Sequence, residues 1–504
     1  MASRFETIGL KEYEDCKIRA RRCRDEAVRL RAEARKKSAE EAERKRMERE
    51  KTEAAEKAKK KRIGIIAAAA AVVVIAIIII ITAVIIPGNR YKQAEELLSA
   101  GDYYGAIEAF TKLGSFKDSS LRVDEAHFLR ARAFAKAKRY EDAVLEMELL
   151  SDKDQEIKNR YFYQMAEVMR EEGQNAYAAI IFGKVADYQD ARERSFALWD
   201  MVADRKTIAL SETVAAAIKN DGTVYWVGGD EPKALECMKE WTDIVDICAP
   251  SGEVDYIYAL RADGTVLTTD EQCREETDSW TDIVAIDVDR FATYDGHLVG
   301  LKMDGTVIAV GDNKNGAIDV QNWDYIIAVS AGRRHTIGLK ADGTVVSTEF
   351  KESSYTVSGQ TTTIKSDGQT NVATWNNVIR IQTAEEASFA VCADGTICAT
   401  GMGIGASTTS VTKNWNDIVS VGGHSNKWDY VTIGVHSDGT VSLAGDGAKY
   451  YEDILSWNDI SEIVVAGTQA IGLKKDGTVI YHYVAKWDKL LDVSDWTDIR
   501  VLNR

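Results

Sequence analysis

The six histidines of this 504-residue chain are the side chains that could most readily do acid–base or metal chemistry. They are scattered along the sequence: His127, His297, His335, His424, His436 and His482. His297 and His335 each stand seven residues before an Asp-Gly pair. A residue that recurs at one place in a repeat is more typical of packing between units than of a metal or catalytic site. No metal or other cofactor is therefore expected.

Cysteine chemistry is not indicated either. The later cysteines are odd in number and lack metal-site spacing: Cys237, Cys248, Cys273, Cys392 and Cys398. Cys392 and Cys398 flank the pair Asp394-Gly395. A two-residue loop there would pair Cys392 with Ile397 and point the two sulfurs to opposite faces, so no disulfide would form. A bulge that shifts the register would reverse this expectation.

Common catalytic motifs are missing from the sequence. It contains no Gly-x-x-x-x-Gly-Lys, Gly-x-Ser-x-Gly or His-Glu-x-x-His, so phosphate loops, nucleophile elbows and zinc-protease helices are not indicated. Glycoside hydrolysis needs only two carboxylates placed by the fold, and the chain has 80 Asp and Glu residues. We expect no enzyme, with a carboxylate-dependent hydrolase kept as an alternative.

A repeat dominates the C-terminal half. Asp-Gly-Thr followed by Val or Ile occurs seven times, and a Trp comes 17 to 21 residues later in six of the seven units. The copies start at Asp221, Asp263, Asp304, Asp342, Asp394, Asp438 and Asp476. Asp-Gly between apolar runs predicts a hairpin, here with a two-residue turn. A period near forty with short strands is typical of a propeller or a solenoid.

The repeat resembles that of the regulator of chromosome condensation family. The best copy reads Trp323-Asp324-Tyr325-Ile326-Ile327-Ala328-Val329-Ser330-Ala331-Gly332, followed by His335 to Val345. The resemblance implies a seven-bladed β-propeller of four-stranded modules over residues 206–504. The chain's last Trp, Trp496, begins a unit without its Asp-Gly-Thr, and the first copy lacks a preceding Trp. We expect the C-terminal strand to pair near the first unit and close the ring.

The segment 63–86 predicts a transmembrane helix. It contains Ile, Val and Ala interrupted only by Gly64 and Thr82, and as a helix it would span roughly 36 Å, against a hydrocarbon core of ~30 Å. Five basic residues stand within the six positions before it and two follow it closely. This asymmetry places the N-terminus in the cytoplasm and the C-terminal part outside the plasma membrane.

Charge divides the chain at the same place. Residues 1–62 carry 22 Lys and Arg against 14 Asp and Glu, or +8, so the remainder of the −16 chain carries −24. The acidic remainder argues against nucleic acid as a partner. The N-terminal segment has an apolar seam that predicts a solvated helix or a short coiled coil for self-association: Tyr13, Cys16, Ala20, Cys23, Ala27, Leu30 and Ala34.

Residues 90–204 resemble degenerate tetratricopeptide repeats. Three pairs of residues four apart recur at spacings of 37 and 35: Ala106 with Phe110, Ala143 with Met147, and Ala178 with Phe182. The known period is about 34. The resemblance implies helical hairpins, used either as a groove for peptides or as a stem that holds the propeller away from the membrane.

The fourth unit provides the candidate binding loop. From Asp342 to its Trp375 there are 33 residues, against 17 to 21 in the other units. The candidate ligand-binding residues are Tyr355, Thr356, Gln360, Thr361 and Asp367. A second Asp-Gly pair, Asp367-Gly368, could make an additional hairpin. Loops on rigid scaffolds often carry recognition, although a tolerated surface insertion explains the extra length more simply, because long loops cost little stability.

These observations predict a mainly β protein with an α-helical N-terminal part. The expected function is recognition of a protein or glycan by an extracytoplasmic propeller, as in bacterial membrane-anchored surface proteins that combine the two repeat types. An inhibitor of a cell-wall enzyme is a further alternative, since the resemblance extends to a secreted inhibitor with this type of propeller. Nucleotide exchange on a nuclear GTPase, the family's named activity, fits poorly with the anchor and the acidic charge.

Overall fold

The computed structural model describes residues 2–229, 232–289, 296–357, 360–404, 411–425, 430–484 and 491–502. The chain divides into two compact units, Met1–Ser120 and Leu121–Arg504. This division differs from the boundaries expected near residues 90 and 206. Most of the helical-repeat segment belongs to the same unit as the strands, because helices and strands share one apolar core that contains Phe182, Trp199, Val284 and Met303.

The first unit is helical. Its elements are α1 (Ala2–Ile80), a π-helical turn (Ile81–Ile85), α2 (Ile86–Ser99) and α3 (Tyr103–Leu113). The side chains of residues 63–86 are all exposed, and the helix that contains them is the one in the described part of the chain that is long and apolar enough to cross a membrane. Pro87 follows the π turn and lacks the N–H that would continue a regular helix, which accounts for the local irregularity.

Five more helices follow: α4 (Ser119–Lys136), α5 (Tyr140–Met147), α6 (Gln155–Glu171), α7 (Asn175–Gly183) and α8 (Ala191–Val202). All three sequence pairs are buried, with Ala106, Phe110, Ala143, Met147, Ala178 and Phe182 each at most 1% exposed. In α6 the ring of Tyr163 lies edge-on to Phe182, 5.2 Å away, and its hydroxyl donates to Asp190 at 2.5 Å. Within the first unit Tyr91 makes the same two contacts, with Phe110 and Asp118.

Seven three-stranded antiparallel sheets follow the helices in the described residues. In order they are β1 (Ile208–Leu210), β2 (Val214–Ile218), β3 (Val224–Gly228); β4 (Ile244–Cys248), β5 (Tyr258–Arg261), β6 (Val266–Thr268); β7 (Ile283–Asp289), β8 (His297–Lys302), β9 (Val307–Gly311); β10 (Ile326–Gly332), β11 (His335–Lys340), β12 (Val345–Ser347); β15 (Val378–Ala384), β16 (Ala387–Cys392), β17 (Ile397–Gly401); β18 (Ile418–Ser425), β19 (Tyr430–His436), β20 (Val441–Ala444); and β21 (Ile460–Ala466), β22 (Gln469–Lys474), β23 (Val479–His482). Strands β13 (Ser353–Val357) and β14 (Gln360–Ile364) form a separate two-stranded sheet. The prediction of a propeller-like, mainly β C-terminal region is confirmed at this level.

The described sheets have three strands, not the four that were expected. In several units short helices occupy the segment between the third strand and the Trp: α9 (Pro232–Leu235), α10 (Glu271–Thr277) and 3-10 turns at Glu236–Glu240, Asp446–Tyr450 and Glu452–Ser456. The first strand of each sheet contacts the first strand of the next, and β21 contacts β1.

Each Asp-Gly-Thr motif forms a three-residue loop, and the expected two-residue turn is wrong. In the first copy the Lys219 N–H donates to the Thr223 carbonyl at 2.8 Å and the Gly222 N–H donates to the Lys219 carbonyl at 3.0 Å. Gly222 has φ +81°, which glycine adopts without steric cost. The Asp221 carboxylate accepts from the Thr223 backbone and hydroxyl at 2.9 and 2.6 Å. All seven copies repeat these carboxylate bonds.

A left-handed residue stands two positions after each repeat Trp. These residues are Asp243, Asp282, Tyr325, Asn377, Asp417, Asp459 and Asp498, with φ between 53° and 63°. Asp and Asn tolerate this conformation better than other side chains. In six of the seven units the next residue along the chain then donates its N–H to the Gly carbonyl of the preceding loop, as Ile326 does to Gly305 at 3.0 Å. The loop of one sheet therefore holds the start of the next sheet.

The repeat Trp residues pack on small residues of the second strands. A Cβ added to Gly300, Gly338, Gly434 or Gly472 would lie 2.7–2.9 Å from the ring of the Trp that leads its sheet. The corresponding positions in the other three sheets hold Ala217, Ala259 and Ala390. Each Trp therefore needs a Gly or Ala beneath its ring.

The C-terminal segment joins the last sheet to the first. Ile499 forms a β-bridge with Lys219 and donates its N–H to the Gly477 carbonyl at 3.0 Å, and the Arg500 N–H donates to Ile218 at 2.9 Å. Trp496 and Ile499 are 4% and 1% exposed, in a cluster with side chains of the first and seventh sheets. The C-terminal segment thus pairs with the first sheet, as the sequence predicted.

The three-residue loop also overturns the expectation for the paired cysteines. Val391 pairs with Ile397 and Ala390 with Cys398, so Cys392 lies opposite Thr396 and on the same face as Cys398. Their sulfurs are 3.7 Å apart, while all seven thiols of the chain are free. The loop contains three residues where two were expected. The extra residue shifts the register by one, so the sulfur of Cys398 lies on the same face of the sheet as that of Cys392.

We therefore expect Cys392 and Cys398 to form a disulfide when glutathione disulfide accepts the two electrons. Burial raises the pKa of the Cys398 thiol to about 12, so the reaction is expected to accelerate as the pH is raised. In peptide mass spectra of the oxidised protein, the peptide with both residues should be about 2 Da lighter, because two hydrogens are lost, and should resist alkylation. Cys398→Ser is the control; full alkylation of Cys392 after oxidation of the unaltered protein would contradict the prediction.

Candidate functional site

The extra residues of the fourth unit form an exposed hairpin. Strands β13 and β14 pair Thr356 with Thr361 and Tyr355 with Thr362, and the Thr356 and Thr361 hydroxyls are 2.9 Å apart. Thr356, Gln360 and Thr361 are exposed. The tip residues 358–359 lie outside the described residues.

Four of the five sequence-predicted residues come together in this hairpin, and Asp367 does not. Asp367 lies beyond β14, where its N–H donates to the Gln369 side chain at 2.8 Å. The suggested hairpin at Asp367-Gly368 is wrong: the hairpin of this unit pairs Val357 with Gln360, and the Gly368 carbonyl accepts a bond from the Thr400 hydroxyl at 2.9 Å.

Both ends of the hairpin are anchored to neighbouring sheets. On the first side the Asn315 amide donates to the Lys351 carbonyl at 2.6 Å and to the Ser353 hydroxyl at 3.1 Å. On the second side the buried Gln369 offers its carbonyl to the Ser388 hydroxyl at 2.8 Å. The hairpin is therefore an exposed ribbon on a fixed base.

The chemistry of the ribbon suits backbone recognition. Residues 353–364 contain no charged residue and no Pro, although 29% of the chain is charged. Within the described part of the chain neither strand pairs with a third strand. Exposed edges of this kind are usually protected by charges, Pro or bulges, because their free N–H and C=O groups can pair with another chain.

The centre of the sheet array carries a buried polar network. The Lys206 ammonium binds Asp287 at 2.6 Å, and the second Asp287 oxygen accepts from the Ser330 hydroxyl and the Ala331 N–H at 2.8 and 2.9 Å. Burial alone would lower the pKa of Lys206, but the charge and hydrogen bond of Asp287 outweigh it and raise that pKa. Asp246 accepts from the backbone of Lys206 and Ile286, and burial raises its pKa to about 6.

These carboxylates are occupied by structural contacts. A cavity of about 70 Å³ lies beside Lys206, Asp287 and Glu385, which leaves little room for a substrate. At the turns that end the first strands, Arg334 binds Glu386 and His424 lies 3.8 Å from Glu385. Burial raises the pKa of Glu386 and Arg334 opposes this rise. The arrangement links neighbouring sheets through ion pairs.

His297 and His335 each connect their own sheet to the next one through a hydroxyl group of its second strand. The Nε2 of His297 is 2.7 Å from the Thr336 hydroxyl, which donates to Ala317. The Nε2 of His335 is 2.9 Å from the Ser388 hydroxyl. Both imidazoles are fully buried. The described residues contain no group of three or more His, Cys, Asp or Glu placed to hold a metal ion.

Acid should destabilise the protein through these two histidines. Burial lowers the pKa of His297 to about 4 and of His335 to about 3, against ~6.5 in an unfolded chain. Neutral histidine is therefore favoured by folding, and the associated stability is present above pH ~6.5 and lost as the pH falls towards 4. We expect the free energy of unfolding to fall by up to about 1.4 kcal/mol per pH unit for each histidine in this window.

The measurement is urea unfolding of the full-length protein in detergent at several pH values. The raised pKa of Asp246 acts in the opposite direction, so the comparison is between the unaltered protein and a variant with His297→Asn and His335→Asn. The variant should lose much of the pH dependence between 6.5 and 4. Parallel curves for the two proteins would contradict the assignment.

The comparisons with known proteins give a distant structural likeness. No protein-family model matches the chain, and no curated protein matches it. Among solved structures, Prp20p from Saccharomyces cerevisiae is 12% identical, covers 60% of this chain and 87% of that chain, and has a TM-score of 0.35. Human WBSCR16 is 16% identical, and the match covers 55% of this chain and 77% of that chain with a TM-score of 0.28. The computationally designed Ika8 protein is 13% identical, and the match covers 56% of this chain and 98% of that chain with a TM-score of 0.32. Likeness at this level does not indicate a shared activity or partner.

Proposed function

We propose that this chain is a single-pass membrane-anchored binding protein whose C-terminal unit is a closed seven-bladed β-propeller outside the cytoplasm. The contacts between successive first strands and the pairing of Ile499 with Lys219 support closure. The exposed apolar helix at 63–86 supports the anchor. The occupied carboxylates at the centre favour binding over catalysis. The ligand is a protein, or less directly a glycan, on the extracytoplasmic side.

The observation that carries the binding function is the hairpin of β13 and β14. It is an uncharged ribbon with exposed strands, anchored at Asn315 and Gln369. A protein partner can add an extended segment to such an edge, with backbone hydrogen bonds giving affinity and the alternate side chains giving specificity. This mode explains why residues 353–364 include four Thr and three Ser and carry no charge.

The test compares the full-length protein in lipid nanodiscs with a variant in which residues 354–363 are replaced by Gly-Gly. Each is used to capture proteins and glycans from envelope extracts of the native host. We expect one or more captured species to disappear with the variant, while its melting temperature stays within about 2 °C, because long surface loops contribute little stability. Identical captured sets, at similar melting temperatures, would contradict recognition by the hairpin.

Topology gives a separate prediction. A protease added to intact host cells is expected to degrade the portion after Arg90 and to spare residues 1–62, because the basic residues before position 63 favour the cytoplasmic side. Antibodies against tags at the two termini would read out the result. Protection of the C-terminal tag with loss of the N-terminal tag would reverse the proposed orientation.

Self-association through the seam between Tyr13 and Ala34 stays a prediction.

A further inference from the structure

Helices α7 and α8 cover the loop-bearing ends of the third and fourth sheets. The indole N–H of Trp199 donates to the Met303 carbonyl at 3.0 Å. A Cβ added to Gly183 would lie 2.2 Å from the same carbonyl oxygen, so the end of α7 contacts the sheet backbone directly. Ile180 packs against the loop residue Gly305. These contacts define an interface between helices and sheet ends.

The surface that these helices cover has a repeating composition. In six of the seven sheets the first strand contains a one-residue irregularity directly after its first residue. The extra residues are Val245, Val284, Ile327, Ile379, Val419 and Ser461. Five of the six are β-branched aliphatics, at a place where a bulge turns the side chain away from the regular alternation.

Coverage of this apolar ring is incomplete. Val284 is fully buried, and Ile327 packs against the apolar core that the helices share with the third and fourth sheets. The equivalent Ile379 and Val419 are 52% and 37% exposed. They line a groove of about 740 Å³ together with apolar residues and with charged ones at its border: Met201, Ala203, Ile460 and Leu502, and Asp204, Arg380, Glu462 and Lys475. Because Met201 is in α8 and Ala203 follows it, the groove begins where the helix interface ends.

We propose that this groove binds an amphipathic helix of a second protein, which continues the row of helices begun by α7 and α8. The fifth and sixth sheets present the same bulge, with the same class of side chain, that the third and fourth sheets bury under helices. A helix with apolar residues at i, i+3, i+4 and i+7 would cover Ile379 and Val419 together. This surface is separate from the hairpin of β13 and β14 and does not depend on it.

The test is site-specific photo-cross-linking in the native host. Benzoyl-phenylalanine is placed at residue 379 of the full-length protein and, as a matched control, at Leu455, an apolar residue of similar exposure (54%) outside the groove. The cross-linked peptide is identified by mass spectrometry. We expect a peptide from another protein with an apolar helical stripe at position 379, and no equivalent product at position 455.

A synthetic copy of that peptide then measures the affinity. The double change Ile379→Asp and Val419→Asp should weaken binding of this peptide to the full-length protein at least tenfold. The melting temperature of the double variant should stay within about 3 °C of that of the unaltered protein. The control change Leu455→Asp should leave the affinity unchanged. The proposal would be overturned if cross-linking at position 379 were no stronger than at position 455. It would also be overturned if the cross-linked species were a lipid, a glycan, a second copy of this protein or a segment of the same chain. A peptide without the stripe, or binding that the double variant leaves intact, would overturn it as well.

Discussion

Removal of residues 495–504 is expected to lower the melting temperature of the full-length protein by more than about 5 °C. The deletion removes Trp496 and Ile499, both buried between the first and seventh sheets. Loss of a buried Trp or Ile costs roughly 2–5 kcal/mol each, and because the unfolding entropy grows with size, each kcal/mol corresponds to ~1–2 °C for a unit of more than 300 residues. The deletion also exposes the backbone groups of Lys219 and Ile218 that pair with the C-terminal segment.

Scanning calorimetry in detergent provides the measurement, and deletion of residues 503–504 alone is the control. Trp496→Ala in the intact chain should produce a smaller decrease than the deletion, since the pairing of Ile499 with Lys219 would remain. A melting temperature unchanged by the ten-residue deletion would show that the C-terminal segment does not hold the first and seventh sheets together.

Replacement of Asp287 by Ala is the second change with a large expected effect, a loss of about 3 kcal/mol in the free energy of unfolding. Removing one partner of a buried ion pair costs ~3–5 kcal/mol because the other charge stays buried. The side chain of Lys206 is 23% exposed, so its ammonium can recover some hydration and the lower end of this range applies. Ser330 and Ala331 lose their shared acceptor as well.

A double-mutant cycle separates these contributions. Adding Lys206→Met to Asp287→Ala should restore part of the loss, because no unpaired charge then remains. Urea unfolding of the two single variants and the double variant gives the coupling energy. A double variant whose loss equals the sum of the two single losses would show that Lys206 and Asp287 are not coupled.

The period of the C-terminal half could be predicted because each unit contains a local signal that works alone. The Asp-Gly-Thr loop is specified by its own Asp and Thr, as the repeated bonds to Asp221 and its six equivalents show. The number of residues in that loop could not be predicted, since Asp-Gly serves both two-residue and three-residue hairpins. That one residue decided the register, and with it the position of Cys398 beside Cys392.

Contacts between distant segments could be predicted only where the repeat itself was visibly incomplete. The pairing of the C-terminus with the first sheet was predicted because two incomplete units stood at opposite ends of the repeat. The attachment of α7 and α8 to the third and fourth sheets was missed. Its one visible trace is Tyr325, which occupies a left-handed position where the other six units have Asp or Asn. There its hydroxyl donates to Glu148 at 2.6 Å, and Lys184 lies over its ring.

The extra length of the fourth unit located an added hairpin, and Tyr355, Thr356, Gln360 and Thr361 share it. Ligand binding by these residues stays a prediction. Asp367 was included because of an Asp-Gly pair that the chain uses for a different bend. The groove near Ile379 could not be predicted from the sequence, because Val284 and Ile327 are the same kind of residue at the same repeat position as Ile379 and Val419, and only the fold shows which of them the helices cover.

The bridge between Lys219 and Ile499 also constrains how the protein is made. The first sheet leaves the ribosome some 280 residues before its C-terminal partner (219 to 499). At ~5–20 residues per second, synthesis of that interval takes on the order of 15 to 60 seconds. Throughout this time the nascent chain exposes an unfinished edge beside Ile218, so final assembly has to wait for translation to pass residue 499.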